Sequence, residues 1–217
     1  MTNGIFIVFE GGDGAGKSTQ SERLASWLTS QGYRVRKTFE PGDTVVGQTV
    51  RQIVLHSDID LSPRAEALFY AADKAQHISE VIKPSLKAGM IVICDRYVDS
   101  TIAYQGAGRI LETQEVADIA WWAVQGLVPD LTVLMDVPVT HGLSRIDSHD
   151  RMESAGLGFH TRVRQHFLDS AHSNIERYLI VKGTDPKDEV TAQIRDAVTV
   201  VITDSHRNLI RDQVETN

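Results

Sequence analysis

Apolar and polar positions change period in blocks along the chain. Ile5 to Phe9 is an unbroken apolar run, short, β-branched and aromatic, ended by Glu10 and a glycine cluster. A run of that kind predicts a strand buried on both faces. From Lys17 to Gln31 the period becomes helical: Leu24, Ala25 and Leu28 share a face, and Gly32 suits the stop. Arg34 to Phe39 reads as a second strand and Val45 to about His56 as a helix. Ser62-Pro63 offers an N-cap followed by a first-turn proline. Leu68, Ala71, Ala75, Ile78 and Ile82 then recur at steps of three and four, predicting a long amphipathic helix that ends near Gly89. That stripe is its expected core face.

Met90 to Cys94, Leu131 to Val137 and Tyr178 to Val181 read as three further strands. Between and after them, Thr113 to about Val128, a segment beginning within 140–146, Phe159 to about Glu176 and 187–203 read as helices. Strands alternate with helices throughout. The expectation is an α/β fold in three layers, a five-stranded parallel sheet with helices on both faces. One domain is expected over 1–217, with a short lid at about 147–158 and a polar tail at about 205–217.

Composition narrows the class. The 217 residues are 41% hydrophobic and 24% charged, as in a globular domain. A net charge of -7 argues against a nucleic-acid partner, because such binding is dominated by phosphate neutralisation. It also makes any local convergence of cations informative. No stretch approaches the roughly 20 apolar residues of a membrane span, and no basic, apolar leader opens the chain. One cysteine, Cys94, excludes an internal disulfide, so the cytoplasm is the simplest compartment. The eight histidines show no metal-ligand spacing.

Gly11-Gly12-Asp13-Gly14-Ala15-Gly16-Lys17-Ser18 fits G-x-x-x-x-G-K-[ST] and lies between the first strand and the first helix. Glycines let backbone N–H groups surround an anion, and the helix adds its positive end. Lys17 reaches the β- and γ-phosphates of a nucleoside triphosphate, and Ser18 is placed to ligate Mg²⁺. Asp95-Arg96 follows the third strand, at the sheet edge where open α/β folds bind ligands. Asp95 is a second candidate for Mg²⁺, and Arg96 for another anionic group.

Asp95-Arg96-Tyr97-Val98-Asp99-Ser100-Thr101-Ile102-Ala103-Tyr104-Gln105-Gly106 resembles the D-R-[YH]-x-x-S-x-x-A-Y-Q-G signature of bacterial thymidylate kinases. Phe9 to Gly14, Glu40-Pro41-Gly42, Arg64 to Ala72, Pro129 to Thr132, and Asp150-Arg151 with Phe159-His160 resemble the family's other motifs in order. The resemblance covers about residues 4–200 and implies transfer of a phosphoryl group from ATP to dTMP, giving dTDP and ADP. It implies that Asp13 faces the sugar 3′-hydroxyl and acceptor phosphate, and that Arg96 clamps that phosphate, with Ser100 beside it. Tyr70 matches the base-stacking position and Lys74 the base-contacting one, four residues apart and off the expected core stripe. Thr101 and Gln105 match hydrogen-bonding positions for the base. Tyr104 matches a ring under the deoxyribose that crowds a 2′-hydroxyl. Thr19 extends the ATP-binding loop, and Arg145 and Arg151 resemble lid arginines that offset charge during transfer. Strand order 2-3-1-4-5 and a homodimer built on the 63–87 helix are also implied.

The chain departs from the family pattern at four places. Phe39 stands where arginine is common, leaving one cation fewer near the acceptor phosphate. Asp43 replaces a second turn glycine. Lys74 replaces arginine and so lacks its planar fork. The segment between Arg145 and Phe159 is short and poor in cations. Two other readings stay open: a kinase for another nucleotide or nucleoside, and a nucleotide-dependent switch without transferase activity. A switch of the GTPase kind calls for an N-K-x-D-type motif, but the fourth strand ends Met135-Asp136-Val137-Pro138.

Overall fold

The structure is a computed structural model that describes residues 4–109, 111–146 and 152–215. β1 (Ile5–Glu10) is buried along its whole length, as its unbroken apolar run requires. It feeds the glycine-rich loop and α1 (Lys17–Ser30). That helix closes with the Tyr33 N–H on the Leu28 carbonyl and the Gly32 N–H on that of Thr29. Gly32 has φ +87°, a left-handed conformation that glycine adopts without a Cβ clash. β2 (Val35–Phe39) and α2 (Val45–His56) follow, α2 capped by the Thr44 side chain, which accepts from the Gly47 N–H.

α3 (Pro63–His77) starts as expected, with Ser62 accepting from the Ala65 N–H and proline in the first turn. A widened π turn at Ile78–Ile82 carries it into α4 (Lys83–Lys87). Pro84 has no N–H to give and its ring crowds the preceding turn, and the wider turn before it accommodates both. β3 (Ile91–Asp95) leads into α5 (Val98–Thr101) and a second π segment, Ile102–Gly108. α6 (Thr113–Ala123), β4 (Leu131–Asp136), α7 (Val139–Leu143), α8 (Leu157–Ser173), β5 (Tyr178–Lys182) and α9 (Lys187–Glu215) complete the chain.

The five strands pair in parallel in the order β2-β3-β1-β4-β5, as the resemblance implies. Ile5, Ile7 and Phe9 of β1 pack under α1 and α9, while Phe6 and Val8 pack against Ile78, Ile82 and Tyr97 on the other face. A third apolar cluster gathers Tyr70, Tyr104, Phe159 and Phe167 beside the carboxyl edge of the sheet. Among the described residues no helix is long and apolar enough to cross a membrane.

Three expectations need correction. The core stripe of α3 fails only at Leu68, which is 56% exposed: Ala71, Ile78 and Ile82 are buried, and Glu66, Ala67, Tyr70, Asp73, Lys74 and His77 widen the buried face. Apolar periodicity does not reveal these polar members, of which Lys74 lines a cavity. α9 continues to Glu215 rather than giving way to a tail near 205, since no glycine or proline interrupts it. Residues 98–108 are helical where no helix was expected, because the wide π turns there lack a 3.6-residue repeat.

Candidate active site

The pairings Phe9↔Asp95 and Glu10↔Leu134 align the ends of the three central strands, so the loops that follow them meet at one edge. The phosphate loop leaves β1 there. Gly14 has φ +69°, and a Cβ on it would lie 2.0 Å from the Gly142 carbonyl oxygen, so a side chain is excluded. Gly16 begins α1 with no side-chain cap, which leaves the first amides of the helix to the loop. The buried Lys17 ammonium donates to the carbonyls of Gly11 at 2.9 Å and Gly12 at 2.8 Å.

Burial, and then the Arg96 guanidinium, push Lys17 down to about 8, against the pull of Asp95, Asp13 and Glu10. The folded pKa is depressed, so the free protein loses this proton from about pH 8 upward, well below a free lysine. A bound polyanion favours the charged form. Binding of ATP at pH 9 is therefore expected to take up close to one proton, and none at pH 6.5. Calorimetry in buffers of different ionisation enthalpy reads this directly; equal uptake at both values would contradict it.

Ser18 Oγ donates to Asp95 Oδ2 at 2.9 Å, joining the loop to the end of β3. These two hard oxygen donors fit Mg²⁺ by chemistry and proximity. Arg96 follows in a left-handed conformation, φ +71°, uncommon for a residue with a side chain. That turn sends its guanidinium back over the loop. It donates to Asp13 Oδ1, to the Gly11 carbonyl at 3.3 Å and to Ser100 Oγ at 3.1 Å, and lies 5.0 Å from the centre of the Tyr104 ring. Burial works against its charge, but Tyr104, Asp13, Asp95 and Glu10 outweigh that and keep it firmly protonated. Burial likewise opposes ionisation of Asp13, yet Arg96, Lys17 and the Tyr104 hydroxyl, which donates to it at 2.7 Å, hold it below the usual carboxylate range.

A cavity of about 460 Å³ opens beside this centre. Asp13, Arg96 and Ser100 are part of its lining, together with Tyr70, Lys74, Thr101, Tyr104 and Gln105. Gln105 donates one of its two amide hydrogens to Glu66 Oε1 at 3.1 Å, and its carbonyl oxygen is an acceptor of the kind a base N–H needs. A second cavity of about 600 Å³ lies on the far side of the loop, bounded by Ala15, Gly16, Thr19, Arg145, Gly183 and Asp185. Gly14, Lys17 and Ser18 line both cavities. Gly11 and Gly12 line neither, and serve through their carbonyls on Lys17. Arg145 bonds the Gly14 carbonyl at 3.2 Å. Arg151 and the rest of 147–151 lie outside the described residues; the described part of the lid expected at about 147–158 is a short turn at Glu153–Ala155 and the start of α8 at Leu157.

The structure changes the reading of two positions. Lys74 is on the buried side of α3, paired with Glu40, not off its core face. Phe39 has a cation beside it: Arg51 of α2 sits 5.8 Å from the Phe39 ring centre, bonds the Pro41 carbonyl at 2.9 Å and lines the first cavity. Sequence reasoning also missed Glu10, which is fully buried and accepts from the Tyr97 N–H at 2.8 Å, the Ser100 N–H at 3.2 Å and the Ser100 hydroxyl. Burial and the nearby Asp99 push it up to about 7. Its signal was there to read: an acid closing an otherwise apolar strand. Arg109, on Glu66 at 3.1 Å, carried no such signal, and His160, whose Nδ1 lies 3.8 Å from Asp13 Oδ2, was marked only as part of the Phe159-His160 motif.

The family model described as Thymidylate kinase matches residues 9–194. The thymidylate kinase of Cutibacterium acnes is 54% identical over 197 residues, 90% of this chain and 97% of that protein. That of Clavibacter sepedonicus is 49% identical over 203 residues, 92% of this chain and 96% of that protein. A crystal structure of thymidylate kinase from Ehrlichia chaffeensis superposes with a TM-score of 0.75 at 33% identity, covering 90% of this chain and 99% of that one.

Proposed function

The chain belongs to the thymidylate kinase family and transfers a phosphoryl group from ATP to dTMP, giving dTDP and ADP; from that premise we propose how its residues divide the reaction. The observation that carries the assignment is the pair of cavities sharing Gly14, Lys17 and Ser18. In it, ATP lies on the Thr19 and Arg145 side with its terminal phosphates on the loop amides and Lys17. dTMP lies on the Arg96 side. The transferred group crosses between them in line, without a covalent intermediate.

Arg96 holds the acceptor phosphate with Ser100 beside it, and Arg51 adds a cation from α2. Asp13 accepts the sugar 3′-hydroxyl and keeps Arg96 aimed. Tyr70 stacks on thymine, and Lys74, Thr101 and Gln105 meet its polar edge. Ser18 and Asp95 would hold Mg²⁺, which when bound supplies charge neutralisation for the phosphates. Residues 147–158 form the lid, bringing Arg151 to join Arg145 and excluding water. The whole chain acts as one kinase domain. The single thiol, Cys94, is fully buried, which supports the reducing cytoplasm as its compartment.

Tyr104 sets sugar selection in this account. Its ring is buried, packed edge-on against Phe159 and Phe167 at 5.9 and 6.3 Å. Tyr104→Ala is expected to relax the preference for deoxyribo- over ribonucleotide acceptors by about tenfold or more, while Tyr104→Phe keeps it. Competing dTMP and its ribo counterpart in one assay decides this; an unchanged ratio in the alanine variant removes the role.

A homodimer is supported by Leu68 on α3 and Trp122 on α6, large apolar side chains exposed on helices that pack together and are bridged by Arg64 and Glu115 at 2.9 Å. Leu68→Glu is expected to yield monomers in sedimentation, and a dimer that persists would move the interface elsewhere.

A further inference from the structure

We propose that Asp43 is a positioning residue for recognition of the acceptor base, acting on Lys74 through a buried relay of Thr38, His77 and Glu40. The proposal rests on the reading of Lys74 as a base contact. The Lys74 and Glu40 side chains are each 2% exposed. The Lys74 ammonium bonds Glu40 Oε2 and the Tyr97 carbonyl, the latter at 2.8 Å. The other oxygen of that carboxylate, Oε1, lies 2.8 Å from His77 Nδ1. His77 Nε2 lies 2.6 Å from Thr38 Oγ1, and the Thr38 hydroxyl reaches Asp43 Oδ2. That same oxygen takes Arg36 at 2.7 Å. Asp43 and Lys74 are two of the positions at which the sequence leaves its family pattern, and the relay joins them.

Counting hydrogens gives the relay a direction. The carboxylates of Asp43 and Glu40 only accept. Thr38 has one hydroxyl hydrogen, and it goes to Asp43. The Thr38 oxygen is then an acceptor, so His77 donates to it from Nε2 and to Glu40 from Nδ1. The ring is thus held between the Thr38 oxygen and Oε1 of Glu40. An ammonium has three donors, and Glu40 and Tyr97 take two from Lys74. The third serves an acceptor in the cavity. With Oε1 occupied by His77, Glu40 offers Lys74 only Oε2, which fixes where the ammonium sits. Without Asp43 the Thr38 hydroxyl and the His77 ring lose their fixed orientation, and Lys74 loses its place against the cavity. Because the ammonium only donates, this contact favours a base carbonyl over an amino group, and so dTMP over dCMP.

The test is steady-state kinetics with dTMP and dCMP on wild type, Asp43→Ala, Thr38→Val and the double variant. Asp43→Asn and Thr38→Ser keep the acceptor and the hydroxyl. Each disruptive single variant is expected to raise the dTMP KM about tenfold with kcat within about twofold, and to narrow the dTMP-over-dCMP ratio. The double variant is expected to match the larger single, and the two conservative variants to stay near wild type. Single effects that multiply in the double overturn the relay. So does an unchanged dTMP KM in Asp43→Ala, whether or not its thermal midpoint falls. Lys74→Gln separates the failures. An unchanged dTMP KM there removes the base contact and the proposal with it. A raised KM there beside an unaffected Asp43→Ala overturns only the relay.

Discussion

Lys17→Ala is expected to lower kcat/KM by about three orders of magnitude or more, the largest loss of any single change in the site. The reason is positional. Lys17 lines both cavities, and in the proposed division of the reaction its ammonium stands where charge accumulates as the phosphoryl group crosses. Arg96 is committed to Asp13, Ser100 and the Gly11 carbonyl, and Arg145 to the Gly14 carbonyl, so neither replaces it. The loss is not expected to come from unfolding. Burial pushes Lys17 down to about 8, which means the fold tolerates its charge at a cost. Removing it is expected to leave the thermal midpoint unchanged or slightly higher. ADP release under saturating dTMP, with a melting curve on the same sample, checks both halves. Turnover near wild type would remove the phosphate-loop assignment.

Arg96→Ala is expected to cost about a hundred- to a thousandfold in kcat/KM for dTMP. The guanidinium meets three partners in the loop and in α5, and its position depends on the left-handed backbone at its own Cα. Arg96→Lys keeps the charge and loses the fork, so it is expected to recover only part of the rate. A second signature follows from Asp13, whose carboxyl is held below its usual range chiefly by Arg96 against burial. A depressed carboxylate stays ionised until the pH falls through its lowered value. Without Arg96 burial dominates, so the acid limb of the kcat/KM profile is expected to move to higher pH. A loss under tenfold with an unmoved acid limb would show that Arg96 does not hold the acceptor.

Much of this was legible in the sequence, for identifiable reasons. β1, the loop and α1 follow from an apolar run, spaced glycines and a helical period, because each depends on local chemistry. The chemistry of Ser18, Asp95 and Arg96 was legible from their place after strands. Helix α3 was legible in its apolar stripe apart from Leu68, but its inner face also carries Glu66, Asp73, Lys74 and His77, which apolar periodicity does not count. The ion pair of Lys74 with Glu40 spans 34 positions, and that of Arg109 with Glu66 spans 43, so no local pattern predicts either. Arg51 reaches the Phe39 ring from another element, which a comparison made position by position overlooks. The helical stretch at 98–108 was hidden by its π geometry, yet it presents Thr101, Tyr104 and Gln105 to the cavity.

The most direct test of the account is ADP release with Mg·ATP and a panel of acceptors: thymidylate, deoxyuridylate, uridylate, cytidylate, adenylate and guanylate. The account predicts turnover led by thymidylate, with deoxyuridylate behind it and the ribonucleotides and purines far lower. Turnover led by a purine monophosphate, or by uridylate over deoxyuridylate, would contradict the roles given to Tyr70, Lys74 and Tyr104.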